Sequence, residues 1–163
     1  MEIRRAGKDD LDEMMEIYAY ARRFMAEHGN PGQWGEDYPL RSHIEEDIEK
    51  GQSYVCLKDG KIACVFVFYV KEEPSYGYIE GGNWMNELEY GVVHRIASAE
   101  GTRGAASFCL NWCYGRCHNL RIDTHELNVP MRNLLNKLGF VKCGTIYVRD
   151  HSPRLAFHKY EKA

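Results

Sequence analysis

No apolar run in the chain is long enough to cross a bilayer: the longest, Ile62 to Val70, is nine residues, against the roughly 20 that a spanning helix needs. The opening MEIRRAGKDD carries charges where a signal peptide requires an apolar stretch. A soluble, unexported, cytoplasmic protein with no membrane partner is therefore expected. There is no surplus of positive charge either. With 21 Lys and Arg against 24 Asp and Glu the formal net charge is −3, and the basic residues are scattered, which argues against nucleic acid as a partner. Nor is there a Cys-x-x-Cys pair. Of the six cysteines, Cys56 and Cys64 sit in apolar strand-like runs, while Cys109, Cys113 and Cys117 are four apart along one predicted helix. Cys109 and Cys117 would stand roughly 12 Å apart on that helix, too far to share a zinc ion. Free buried thiols and no metal are the expectation. Repeats and low-complexity linkers are also lacking, and 163 residues at 44% apolar suit one domain spanning 1–163.

What is present orders itself by periodicity. EIRRA reads as a short edge strand; Leu11, Met14, Met15, Tyr18, Ala21 and Met25 then repeat at helical spacing up to Gly29. Ser42 with Glu45 reads as a capping box for a second, short helix ending at Gly51. SYVCL and KIACVFVFYV flank Asp59–Gly60, the pair favoured in tight hairpins. A strand over Tyr90 to Ala97 follows, then a helix carrying Phe108, Cys109 and Trp112, the strand LRIDTH, a helix carrying Met131, Leu134, Leu135 and Leu138, and the strands FVKCGTIYV and RLAFHKY. The order βααβββαβαββ predicts an α/β (α+β) fold with a mixed, mostly antiparallel sheet and helices on both faces.

Between HRIAS and the helix of Phe108 lies AEGTRGAAS, a small-residue turn whose backbone N–H groups point out of a helix N-terminus. Such a turn suits phosphate, and a ligand-free strand-to-helix turn is the plain alternative. No GK[ST] follows it and the three-glycine dinucleotide pattern is absent, which excludes both of those nucleotide-binding readings.

The run Gly101, Thr102, Arg103, Gly104, Ala105, Ala106 resembles the pyrophosphate loop of the GNAT superfamily of N-acetyltransferases, Gln or Arg, x, x, Gly, x, Gly or Ala. Gly101 departs from the first position, and Arg103 can restore the positive charge. NVPMRNLLNKLGF is similar to the family's stretch from an Asn through an apolar helix to the next strand. The resemblance covers nearly the whole chain, from Glu2 to about Lys159. The resemblance implies a GNAT-like fold with acetyl-CoA as co-substrate. Ile96, Ala97 and Ser98 would line the pantetheine, amides of Arg103, Gly104, Ala105 and Ala106 would hold the pyrophosphate, and Asn128 would bond the pantetheine arm or cap its helix. Asn133 and Lys137 would approach the adenosine end or form a solvated helix face.

An amine acceptor of ordinary pKa ~10.4 is about three units from neutrality at pH 7, so a base or a desolvated pocket must help it attack. The family's usual Glu and Tyr positions are Val92 and Leu135 here. His94 shares a strand face with Val92 and is the first candidate base, or else a hydrogen-bonded core histidine. Asp123 and His125 lie two apart on the next strand and would orient the acceptor or base, or tie the sheet together. Tyr90 and Tyr147 are further candidates for the missing acid. Trp34, with Asn30 and Gln33 in HGNPGQW, would wall the acceptor pocket or form a lid with turn hydrogen bonds; Glu80, Trp84 and Glu87 in the loop SYGYIEGGNWMNE would add contacts to a cationic amine. The implied reaction is direct acetyl transfer, in a ternary complex, to a primary amine of unknown identity by a monomer or homodimer. The alternative is a catalytically silent acyl-CoA-binding regulatory module.

Overall fold

The computed structural model describes residues 1–162. Eleven regular elements follow in the expected order: β1 (Glu2–Arg5), α1 (Leu11–Glu27), α2 (Arg41–Glu49), β2 (Ser53–Lys58), β3 (Lys61–Val70), β4 (Gly91–Ser98), α3 (Ala105–Cys117), β5 (Asn119–Thr124), α4 (Val129–Lys137), β6 (Val141–Tyr147) and β7 (Pro153–Tyr160). The strands form a seven-stranded sheet in the order β1-β2-β3-β4-β5-β7-β6. It is mostly antiparallel, with β4 and β5 parallel as the α3 crossover requires. Two compact units are distinguishable, the first made of Met1–Phe68 and His94–Leu110, the second of Tyr69–Val93 and the described residues from Asn111 onward.

In the first unit, β1 and β3 pair antiparallel on either side of β2. The hairpin turns where Asp59 and Gly60 both take positive φ, 53° and 78°, the geometry whose twist matches that of the flanking strands. Met14 and Tyr18 of α1 and Ile44 of α2 bury completely against Val55 and Val65. The Ser42–Glu45 capping box does not form. Helix α2 already begins at Arg41, and its first-turn partner is His43, whose Nδ1 accepts the Leu40 N–H at 2.9 Å; Glu45 instead pairs with Arg41. Cys56, Cys64 and Cys109 are buried, and none of the six cysteines forms a disulfide.

In the second unit, β7 lies between β5 and β6, and Tyr76, Tyr90, Val92, Ile146 and Ala156 form a core. Residues 71–90, a long connection with one short 3₁₀ turn, dock on these strands through glycines and amides. A Cβ on Gly82 would meet the Cys143 carbonyl oxygen at 1.9 Å, and one on Gly144 the Glu80 carbonyl oxygen at 2.7 Å, so both contacts need glycine. Glu80 and Thr145 exchange backbone hydrogen bonds of 2.8 Å each. The Asn86 and Asn119 side chains pair amide to amide at 3.0 and 3.1 Å. His158, fully buried, accepts the Met85 N–H at Nδ1 (3.2 Å), which leaves its Nε2 proton for Asn119 Oδ1 at 2.6 Å. Burial, with the Arg121 charge adding to it, depresses the His158 pKa to about 4, so the ring is neutral at pH 7.

Candidate active site

The loop between β4 and α3 is tied down from below. Thr102 Oγ1 donates toward the carbonyls of Ala99 (2.7 Å) and Ala63 (3.2 Å), and the Ala99 N–H bonds Ala63 O at 2.9 Å. Gly101 and Gly104 take φ of 75° and 79°, a region that disfavours a side chain. Above Gly104, an added Cβ would find no described heavy atom within 4 Å. The first bond of α3 runs from Phe108 N to Gly104 O, so the amides of Ala105, Ala106 and Ser107 precede the intrahelical ladder. Ala105 is buried and Ala106 half-buried, while Arg103 is exposed. These features together form an anion-receptive helix start on a pinned loop.

Just upstream, β4 is not regular. Arg95 has φ +49°, a left-handed residue in mid-strand that interrupts the extended run as a bulge residue does. Its neighbours hold it there. The fully buried Tyr18 hydroxyl donates to the Arg95 carbonyl at 3.0 Å. The Arg95 guanidinium grips Asp47 of α2 with two bonds, 2.9 and 2.7 Å, and donates to Tyr38 OH at 2.8 Å. Burial opposes the Arg95 charge, but Tyr38 and Asp47 more than offset it and hold its pKa above the ordinary value; burial likewise raises that of Tyr18. Three elements thus converge on one strained residue. His94 and Ile96, its neighbours in sequence, are half-buried, as is Ser98, and Ala97 packs in the core.

The residues of the α1–α2 loop come together, but inward. Trp34 is 8% exposed and packs on Tyr18 and Tyr38 with ring centroids at 5.8 and 6.1 Å. Asn30 is buried, with Nδ2 bonded to Gln33 Oε1 at 2.9 Å. This loop serves the first core and delivers Tyr38 to Arg95.

In the second unit, Asp123 and His125 do not meet as a hydrogen-bonded pair. Asp123 accepts the Tyr76 hydroxyl at 2.7 Å. β5 ends at Thr124, so His125 lies in the following turn, where its Nδ1 accepts the Leu127 N–H at 3.0 Å. Burial, then the nearby Arg154 charge, lowers its pKa. Asn128 caps α4, accepting the Met131 N–H at 3.2 Å, and Asn133 and Lys137 are exposed. Tyr90 OH accepts the Glu73 N–H at 2.9 Å, and Tyr147 OH donates to the exposed Glu80 at 3.2 Å.

An acetyltransferase of the GNAT family from Streptococcus agalactiae is 33% identical to this chain, over 99% of it and 96% of that protein, with a TM-score of 0.91. The chain belongs to the GNAT family of acetyltransferases. A candidate acetyltransferase from Staphylococcus aureus is 26% identical over 99% of this chain and all of that one, at a TM-score of 0.73. The NatC complex bound to Gag peptide and CoA, 10% identical over 99% of this chain and 100% of that one at a TM-score of 0.66, shares the fold alone. No family model and no curated protein matches the sequence.

Val92 and Leu135 are both fully buried. Sequence reading missed Thr102, Arg95, Asp47, Tyr76 and Arg121. A usable signal existed only for Asp47, which falls on the same helical face as Ile44, a carboxylate where the pattern demands an apolar residue. Nothing in HRIAS announces a left-handed arginine.

Proposed function

We propose that the protein transfers an acetyl group from acetyl-CoA to a primary amine of its acceptor, by direct attack in a ternary complex. The observation that carries this is the pinned loop at the head of α3, with Gly104 at positive φ and open space above it. The donor set fits a pyrophosphate: unused amides at Ala105 and Ala106, the Gly104 backbone without a side chain, and the exposed Arg103 charge. Backbone groups of Ile96, Ala97 and Ser98 would hold the pantetheine, with Asn128 adding its side chain while it caps α4 and Asn133 nearer the adenosine. Acetyl-CoA supplies the activated thioester. The acceptor nitrogen bonds to the acyl carbon as the C–S bond breaks, and the departing thiolate, near its ordinary pKa of ~8.5, needs no strong acid. His94, beside the strained Arg95, is the base we assign; His125 and Asp123 orient the acceptor. We place a single N-acetyltransferase domain over 1–163, an extent supported by an alignment of 99% of the chain with one family member, and propose that it works in the cytoplasm as a monomer or homodimer.

The buried Val92 and Leu135 favour a second reading, an acyl-CoA-binding regulator without turnover. Thiol release from acetyl-CoA across amines, amino acids, polyamines and peptides, beside calorimetry with acetyl-CoA, separates the two. Acceptor-dependent release establishes transfer, binding without release establishes the regulator, and no binding removes both. Gly104→Val is expected to abolish CoA binding, and His94→Ala to abolish turnover while sparing it.

A further inference from the structure

The connection 71–90 lines a half-open cavity of about 600 Å³ within the second unit, inside the roughly 300–1,000 Å³ range of small-molecule sites. Tyr76, Trp84, Tyr90 and Arg121 line it, together with the exposed carboxylates of Glu72 and Glu87. Arg121 is 5% exposed. Its guanidinium carbon lies 4.4 Å from the Trp84 ring centre and 3.9 Å from that of Tyr90, and Nη2 donates to Asn86 O at 2.7 Å. Its Nε is buried without a hydrogen-bond partner, and among the described residues no carboxylate pairs with it. Burial accordingly lowers its pKa. A guanidinium taken out of water loses hydration that ring faces restore only in part, so an anion is the partner this side chain lacks. Glu72 and Glu87 are likewise without ion pairs, and they disfavour a purely anionic guest while attracting an ammonium group.

We propose that this cavity is the acceptor-recognition site and takes an amino-acid zwitterion, its carboxylate held by Arg121, its ammonium by Glu72 and Glu87, and its side chain against Tyr76 and Trp84. The proposal rests on the acetyl-transfer reading for the word acceptor; the ligand class rests on the cavity.

The test titrates L-tyrosine, L-methionine and L-glutamine, each beside its methyl ester and its decarboxylated amine, into the full chain with and without saturating CoA. Thiol release from acetyl-CoA is measured with the same compounds. At least one free amino acid is expected to bind, with its ester and its amine weaker by about tenfold or more. Arg121→Lys should erase that difference, and the exposed pair Glu72→Gln with Glu87→Gln should weaken the free acid while leaving the melting temperature in place. Should Arg121→Lys fail to fold, the comparison of acid with ester on the unaltered protein decides. Equal affinity for acid and ester, or no binding by any free acid, overturns the site. Thiol release with carboxylate-free amines alone overturns it too and leaves acetyl transfer standing, whereas discriminating binding without release supports the site and removes the transfer.

Discussion

Two arginines, Arg95 half-buried and Arg121 buried, show how differently the two units treat the same side chain. Arg95 is clasped by Asp47 and Tyr38, and its charge is stabilised despite burial. Arg121 has ring faces and one carbonyl, no carboxylate, and a destabilised charge. The first arrangement is closed and spends its polar capacity on holding a strained backbone. The second is unfinished, and it faces a cavity. A completed ion pair argues for architecture, an incomplete one for a ligand.

The largest effect expected on that contrast is from Asp47→Ala, which removes the buried carboxylate and leaves the half-buried Arg95 with Tyr38 but no counter-charge. A loss of about 3–5 kcal/mol is expected, read from urea unfolding midpoints at unchanged slope; a loss below about 1 kcal/mol would place the pair with ordinary surface bridges. Next comes acid sensitivity in the second unit. The folded His158 pKa, about 4, lies below the unfolded value of about 6.5, so the unfolded chain binds more protons between them. The His158 contribution is then complete above pH 6.5 and lost as pH falls toward 4, by up to about 3 kcal/mol. Unfolding at pH 7 and pH 4.5 measures it, and His158→Gln should flatten the dependence. Gly82→Ala should cost about 1–3 kcal/mol by forcing the connection 71–90 off the Cys143 carbonyl, with amide exchange in residues 80–90 rising selectively. The smallest effect is Tyr18→Phe, about 1 kcal/mol for one hydrogen bond to Arg95 O. Its value lies in turnover: a fall in kcat at unchanged CoA affinity would show that the kink in β4 serves the chemistry, and an unchanged kcat would confine the clasp to stability.

Asp59–Gly60 illustrates what local pattern can carry, since an adjacent pair that tolerates positive φ is visible in the chain and recurs in the structure. The loop around Gly104 was legible for the same reason, because its small residues and sequence spacing are local properties. Ser42 misled because a capping signature counts residues without knowing where the chain bends into the helix. Trp34 was ambiguous because a loop aromatic can face either way, and only packing against Tyr18 and Tyr38 resolves it inward.

By itself, then, the sequence determined the kind and order of the elements, through hydrophobic period and turn chemistry that act over a few residues, and it marked the loop at the head of α3. The tertiary structure alone decided the placement of β7 between β5 and β6, the left-handed Arg95, the separation of Asp123 from His125 and the cavity around Arg121. Each of these depends on groups up to 77 residues apart in sequence, as Tyr18 and Arg95 are, and no local spacing records which buried charge will find its partner.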